Sequence, residues 1–443
     1  MAKKVFLLKM YKAVIIAGGK GTRLPSITKD KPKPLIKIGN KPVLEHQILI
    51  LKEYGIKEIW LLLGYLGKQI EDYLGNGEKW GVEIHYHYEE KLLGTAGALK
   101  VLEDEIKEDF LVFSGDVMLN FDIDRFVEWH KEKKDSIASI IVHPNDHPFD
   151  SDLVEVSKKD RIVSLLRRPH PDDLIFHNLS ISSVYIFSPE VFKYIKDPFE
   201  EKKDIEKDLL PLLLGSEEKI YAYKTPEYIK DMGTSKRLEE VRKDYSLGKI
   251  ENSNLKNKKK AVFLDRDGVI NKERENHVCN LSQLEIYDFV PEAIRKINEK
   301  GYLVIIITNQ AGIAKGFMNE NDLDKIHKKI ETELGSKGAK VDAIYYCPHH
   351  PEKGFKGEVK ELKVDCKCRK PKAGMLLKAK EDFNIDFDKS YFVGDRTADI
   401  LAGEKVGCKT ILVKTGYRGE DNKYKVKPDF LTENLLSSID LID

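Results

Sequence analysis

Two aspartates two residues apart, Asp265 and Asp267 in Asp265-Arg266-Asp267-Gly268, can divide the work of phosphoryl transfer. One attacks phosphorus, and the other protonates the leaving oxygen and later activates water. Far upstream, Gly18, Gly19 and Gly21 let the backbone pass close to a triphosphate and aim N–H groups at it. Arg23 adds a forked cation and Lys33 a point charge, stiffened by Pro32 and Pro34. A third group, Cys347-x-His349 with Cys366-x-Cys368, has the donors and spacing of a tetrahedral Zn²⁺ site. With all four positions filled by protein it would be structural, pinning a long loop beside Arg369 and Lys370. Cys279 and Cys408 read as ordinary thiols. Alone, the glycines are also compatible with a tight strand-to-helix turn, and the aspartate pair with a solvated one.

The elements around these residues place them at sheet edges. Val14-Ile15-Ile16-Ala17 is a short apolar run ending in glycines, the pattern of a buried parallel strand that delivers a loop. Further strands are predicted at 58–63, 82–87, 110–113 and 136–142, with helices at 43–54 and 96–106. A second alternating block begins at Ala261-Val262-Phe263-Leu264, continues through Leu303 to Ile307, and ends with strands at 391–393 and 410–413. This alternation predicts two doubly wound, Rossmann-like α/β domains with ligands at the carboxyl ends of their strands. The expected division is 1–245 and 261–443, joined by a polar, moderately flexible linker at 246–260. The first nine residues read as an extension.

With 443 residues the chain is long enough for two cores. Its 75 basic and 74 acidic residues leave a net charge of +1, so no overall field attracts nucleic acid or an anionic membrane and anions must be captured locally. No apolar run of spanning length and no secretory leader is evident, so the cytoplasm is expected. In that compartment the clustered cysteines point to metal, not to disulfides.

The string Gly18-Gly19-Lys20-Gly21-Thr22-Arg23-Leu24 with Pro32-Lys33-Pro34 resembles the sugar-1-phosphate nucleotidyltransferases, over roughly Tyr11 to Tyr245. The resemblance implies that Gly94-Thr95-Ala96-Gly97-Ala98 is the base-binding loop, and that Asp116 and Asp231 hold Mg²⁺. Gly18, Gly19, Gly21, Thr22, Gly94 and Thr95 would then contact the nucleotide, with Arg23 and Lys33 stabilising charge in flight as the sugar phosphate attacks the α-phosphorus. Two departures stand out: Arg167-Arg168-Pro169 replaces a family Glu-Lys-Pro, and Ile181-Ser182-Ser183 replaces Asn-Ala-Gly. They remove a carboxylate and an amide that would read sugar hydroxyls.

From about Lys259 onward the chain resembles the haloacid-dehalogenase superfamily, which implies Asp265 as nucleophile, Asp267 as acid/base and Lys370 as charge-balancing lysine. Thr308, Asn309 and Arg369 would bind substrate. Mg²⁺ would be held by Asp265, Asp395 and the backbone carbonyl of Asp267, with Asp399 in the same acidic motif. DRDGVIN, TNQAGIAKG and YYCPHHP narrow the resemblance to a capless branch containing heptose-bisphosphate and histidinol-phosphate phosphatases.

Together the resemblances imply two enzymes of one route. A heptose 1,7-bisphosphate loses its 7-phosphate, and the heptose 1-phosphate then accepts a nucleotidyl group, from GTP if the family's GDP-heptose route applies. A histidinol-phosphate phosphatase joined to a mannose-1-phosphate nucleotidyltransferase is one alternative. A phosphatase with a silent binding or oligomerisation module is another.

Overall fold

The computed structural model describes residues 11–19, 21, 29–196, 202–275 and 277–443. Backbone contacts divide the chain into two units. One takes the chain up to Val142 with Val154–Leu166 and Ile181–Asn254; the other takes His143–Leu153, Arg167–Ser180 and Leu255–Asp443.

In the first unit a nine-stranded mixed sheet runs, along its main path, Ile162–Leu166, Leu153–Val156, Ser180–Phe187, Phe110–Ser114, Lys12–Ala17, Glu58–Leu63 and Glu83–Tyr88. Lys12–Ala17 lies parallel to both neighbours, and its Ala13, Val14 and Ile15 are fully buried, as expected for a strand covered on both faces. Helix Val43–Glu53 packs Leu44, Ile48 and Leu51 into this core. The helix expected over 96–106 is shorter, Gly94–Lys100. Glu103, Asp104 and Glu105 would place negative charge at a helix C-terminus, which its dipole opposes.

The second unit carries a six-stranded, all-parallel sheet in the order Ala343–Cys347, Leu303–Asn309, Ala261–Leu264, Tyr391–Gly394, Lys409–Val413, Phe430–Thr432. Helices Val290–Glu299 and Glu320–Gly335 contribute to the core on one face, and Gly374–Phe383 to that on the other. Glu320–Gly335 opens on a reciprocal cap between Asn319 and Asp322. Against this helix lie the two inserted segments. Phe176 N donates to Thr332 Oγ1 at 2.9 Å, and the His177 ring is held between Asp324 and Glu331.

The stretch read as a moderately flexible linker contains helix Lys249–Ser253. Ile250 and Leu255 are buried, and Asn254 donates to Tyr54 Oη and Asn120 Oδ1. A few apolar and amide side chains among the lysines are enough to anchor it. Among the described residues no helix is long and apolar enough to cross a membrane.

Candidate active sites

In the second unit the neighbouring strand ends converge on one buried charge cluster. Asp265 follows Ala261–Leu264, Thr308 lies near the end of Leu303–Asn309, and Asp395 follows Tyr391–Gly394. Lys370 reaches in from the adjoining loop. Its Nζ lies 2.8 Å from Asp265 Oδ1 and 2.7 Å from Asp399 Oδ1, and it donates to the Ile307 carbonyl at 2.7 Å. The Asp399 contact is a close ion pair without hydrogen-bond alignment. Burial, then the Asp399 charge, pushes Asp265 up to about 7. Lys370 moves the other way: burial would neutralise it, but Asp265 and Asp399 outweigh that and hold it charged.

Asp265, Asp395 and Asp399 each present a carboxylate oxygen within 4.8 Å of the others. Asp395 Oδ1 is buried without a hydrogen-bond partner, as a cation ligand would be. Glycines crowd Asp395: a Cβ on Gly268 would meet its Oδ2 at 2.3 Å, and one on Gly416 at 2.2 Å. Gly268 (φ +83°) and Gly416 (φ +62°) also adopt a backbone that favours glycine. The donor set fits Mg²⁺, and Asp399, expected in the same acidic motif, lies with it.

Asp267 is held elsewhere. It accepts hydrogen bonds from Arg266, Asn271 Nδ2 at 2.9 Å and Gln310 Nε2 at 2.9 Å. Burial would raise its pKa, but Arg266 and these donors outweigh burial and lower it. Thr308 is buried and accepts from Gln310 Nε2. Asn309 clamps the Lys370 main chain in both directions, Nδ2 to the carbonyl at 3.1 Å and Oδ1 from the amide at 3.0 Å. Its side chain thus positions the lysine.

Cys347, His349, Cys366 and Cys368 come together with Sγ and Nδ1 atoms 3.1 to 3.6 Å apart. The vertices of a zinc tetrahedron with bonds of about 2.3 Å lie about 3.8 Å apart, so the four atoms sit slightly inside that spacing. The cluster is tied to the phosphoryl site at two points. Cys347 ends the strand beside Asn309, and Arg369 donates through N to Cys366 Sγ and through Nη1 to the His349 carbonyl.

In the first unit, Lys33 and Asp116 meet: Nζ to Oδ2 is 3.0 Å, with Lys33 almost wholly buried. Ser114 Oγ donates to Asp116 Oδ1 at 2.7 Å. Gln47, fully buried, donates to the Ser114 and Val117 carbonyls and so fixes the turn that carries Asp116. Asp231 comes from the strand pair Tyr228–Asp231 with Val117–Asn120, and Met232 N donates to the Asp116 carbonyl. Its carboxylate accepts from Gly233 N at 2.8 Å and Arg237 Nη1 at 2.7 Å. Gly18 is needed for closeness, since a Cβ there would meet Glu89 Oε2 at 2.4 Å. Gly19 is exposed and Gly21 has φ +66°. Thr22 and Arg23 lie outside the described residues.

Gly94 and Thr95 make protein contacts. A Cβ on Gly94 would meet the Lys203 carbonyl at 2.2 Å, Thr95 Oγ1 donates to Asp204 Oδ2 at 3.0 Å, and Ile205 N donates back to Thr95 Oγ1 at 2.8 Å. Arg167-Arg168-Pro169 belongs to the second unit, where Arg168 is bound by Asp150 and Asp152.

Residues 12–247 match the family model described as nucleotidyl transferase, and residues 367–438 one described as HAD-hydrolase-like. The chain belongs to the nucleotidyl transferase family. Its C-terminal part is 44% identical over 159 residues to a D-glycero-beta-D-manno-heptose-1,7-bisphosphate 7-phosphatase of Pasteurella multocida, covering 36% of this chain and 83% of that protein. It is 44% identical over 165 residues to a D-glycero-alpha-D-manno-heptose-1,7-bisphosphate 7-phosphatase of Photorhabdus laumondii, covering 36% and 86%. The chain therefore also belongs to the heptose-bisphosphate 7-phosphatase family. Among solved structures, HddC from Yersinia pseudotuberculosis complexed with GMP-PN is similar over 53% of this chain and all of that one, at 26% identity and a TM-score of 0.46.

Several side chains around the sites carried no assignment in the sequence. Arg266, fully buried, and Gln310 hold Asp267; Gln47 holds the Asp116 turn. Arg266 and Gln310 stand inside DRDGVIN and TNQAGIAKG, so the motifs carried a signal. Gln47 had none beyond being a polar residue on the apolar stripe of its helix.

Proposed function

We propose that the second unit removes the 7-phosphate of D-glycero-D-manno-heptose 1,7-bisphosphate and the first transfers a nucleotidyl group, GMP from GTP, to the resulting heptose 1-phosphate. The observation that carries the substrate is the group of cations beside the phosphoryl site. Lys315 and Lys363 both stand over the Phe355 ring, and burial, then the Arg369 charge, lowers the pKa of Lys315, with Glu352 opposing and Lys363 and Lys423 adding to the shift. Lys315 in turn acts with burial to push His277 down to about 4, and Asp267 bears on the same ring. So many positive groups favour a substrate with a second phosphate and disfavour histidinol phosphate, whose ammonium they would repel.

In the phosphatase reaction an Asp265 oxygen attacks phosphorus and the bond to the sugar oxygen breaks; Asp267, after taking up a proton from solvent against the pull of its neighbours, passes it to that oxygen. Lys370 keeps Asp265 oriented and balances its charge. Water activated by Asp267 then hydrolyses the aspartyl-phosphate, and Arg266, Asn271 and Gln310 favour the ionised form that this step requires. Mg²⁺, bound by Asp265, Asp395 and the Asp267 carbonyl with Asp399 beside them, would neutralise phosphate charge during attack. Zn²⁺ on Cys347, His349, Cys366 and Cys368 would hold Arg369 in place. In the transferase reaction, Lys33 offsets charge at the α-phosphate and Asp116 and Asp231 would hold Mg²⁺. The guanine preference is supported by Glu89, a half-buried carboxylate against Gly18 that can accept from both N1–H and the 2-amino group.

The test is phosphate release from both anomers of the heptose bisphosphate and from histidinol phosphate, followed by incubation of the product with each nucleoside triphosphate. Release from the bisphosphate with pyrophosphate formed from GTP is expected. Preference for histidinol phosphate would reject the reading.

A further inference from the structure

The first unit lacks the carboxylate that a Glu-Lys-Pro segment would offer to sugar hydroxyls, but another, Glu206, is bonded to the strand Ser180–Phe187. Ser180–Phe187 runs antiparallel to Phe110–Ser114 with Val184 opposite Phe113. Ser183 precedes Val184 and Ser114 follows Phe113, so both lie at the same end of this strand pair, and the Ser114 hydroxyl donates to Asp116. Ser183 has φ +53°, a left-handed backbone that favours glycine. It occupies the position of the Gly in Asn-Ala-Gly, so this chain keeps a backbone suited to glycine and adds a hydroxyl. That hydroxyl donates to Glu206 Oε1 at 2.9 Å, and Tyr185 Oη donates to the same oxygen at 2.8 Å.

Glu206 sits in a π-helical turn, Ile205–Leu209, a geometry that concentrates at functional positions. The turn is fastened to the loop at Gly94-Thr95. Lys203 N donates to the Leu93 carbonyl, the Lys203 carbonyl accepts from Ala96 N and Gly97 N, and Thr95 bonds Asp204 and Ile205. Those contacts explain why Gly94 and Thr95 are engaged by protein: they fix this turn, while Ser183 and Tyr185 tie its Glu206 to the neighbouring strand.

We propose that Glu206, oriented by Ser183 and Tyr185, is the sugar-recognition residue of the transferase and accepts hydrogen bonds from ring hydroxyls of the sugar 1-phosphate. A site built to bond a hydroxyl discriminates strongly against a substrate that lacks it, because its own polar group is then left without that partner. The inference rests on the transferase reading above and names the group that selects its acceptor.

The test uses the full chain. For wild type, Glu206→Gln and Ser183→Gly, binding of heptose 1-phosphate is measured calorimetrically, and KM is measured separately for heptose 1-phosphate and GTP. Glu206→Gln is expected to weaken heptose 1-phosphate binding about tenfold or more, with the GTP KM within about twofold of wild type. Ser183→Gly should give a smaller change of the same pattern, and it relieves backbone strain, so it keeps the test valid if Glu206→Gln fails to fold. A series of monodeoxy sugar 1-phosphates separates contact from support: the hydroxyl that Glu206 reads is the one whose removal equalises wild type and Glu206→Gln. Equal losses for sugar and GTP, or no deoxy analogue that closes the gap, would overturn the proposal. A wild type that binds heptose 1-phosphate without releasing pyrophosphate would sink the transferase reading alone, since the binding comparison still tests Glu206.

Discussion

The Asp265 pocket of the second unit and the Asp116 edge of the first are built in opposite ways for the phosphate chemistry proposed for them. In the pocket, Asp265, Asp395, Asp399 and Lys370 are nearly all removed from water; Asn309 clamps the Lys370 main chain, and Gln310 and Arg266 hold Asp267. A covalent mechanism demands this, because a nucleophile must be aimed at phosphorus and its charge balanced before the substrate arrives. At the other edge the carboxylates are partly exposed and already engaged by cations, Asp116 by Lys33 and Asp231 by Arg237. Direct displacement needs no protein nucleophile; it needs cations placed where two polyanions meet. One site is organised around a bond to be made, the other around charges to be brought together.

The sharpest break of this comparison is Asp265→Asn. Phosphate release should fall by about 10⁴-fold or more, as for loss of a covalent nucleophile, while pyrophosphate release by the same protein is unchanged. Loss of both activities in a folded variant would merge the two sites. Lys33→Ala is expected to cost the transferase on the order of 10²-fold in rate, the scale for one preorganised charge-stabilising group, and to leave the phosphatase intact. An unchanged transferase rate would remove Lys33 from the reaction.

The zinc cluster tests whether the pocket depends on its loop. Metal analysis should find about one zinc per chain, and Cys366→Ser, which removes one of four ligands, should lower the zinc content and reduce phosphatase activity through Arg369. A zinc-free protein with full phosphatase activity would separate loop from pocket.

The smallest expected effect is on stability. Burial alone would push His177 down, but Glu331 and Asp324 raise it from 6.5 to about 10, and its bond to His177 takes Asp324 from 3.8 to about 2. The contribution of His177 should be complete below its unfolded value of 6.5 and fade as pH rises through about 10. That of Asp324 should be complete above 3.8 and fade as pH falls through about 2. His177→Ala should therefore cost about 1–3 kcal/mol at neutral pH, measured by denaturant unfolding, with the difference shrinking at pH above 10. A constant difference across that range would dismiss the ion pairs.

Much of this was legible in the chain itself. Asp265 and Asp395 sit in short motifs at the ends of apolar strands, and in a parallel sheet the ends of neighbouring strands must be close together, so local pattern implied their convergence. Cys347, His349, Cys366 and Cys368 were readable because zinc chemistry admits few donor sets. Other features belong to the tertiary structure. Ser183 and Glu206 are 23 residues apart and share no motif; only the strand register and the turn against Gly94-Thr95 bring them together. The assignment of segments 143–153 and 167–180 to the second unit was likewise invisible, because the Phe176 main chain and the His177 ring find their partners, Thr332, Asp324 and Glu331, far along the chain. Local sequence states which groups a residue carries and in which direction its backbone tends to run. Which distant group completes its hydrogen bonds is decided only when the strands pair and the helices pack.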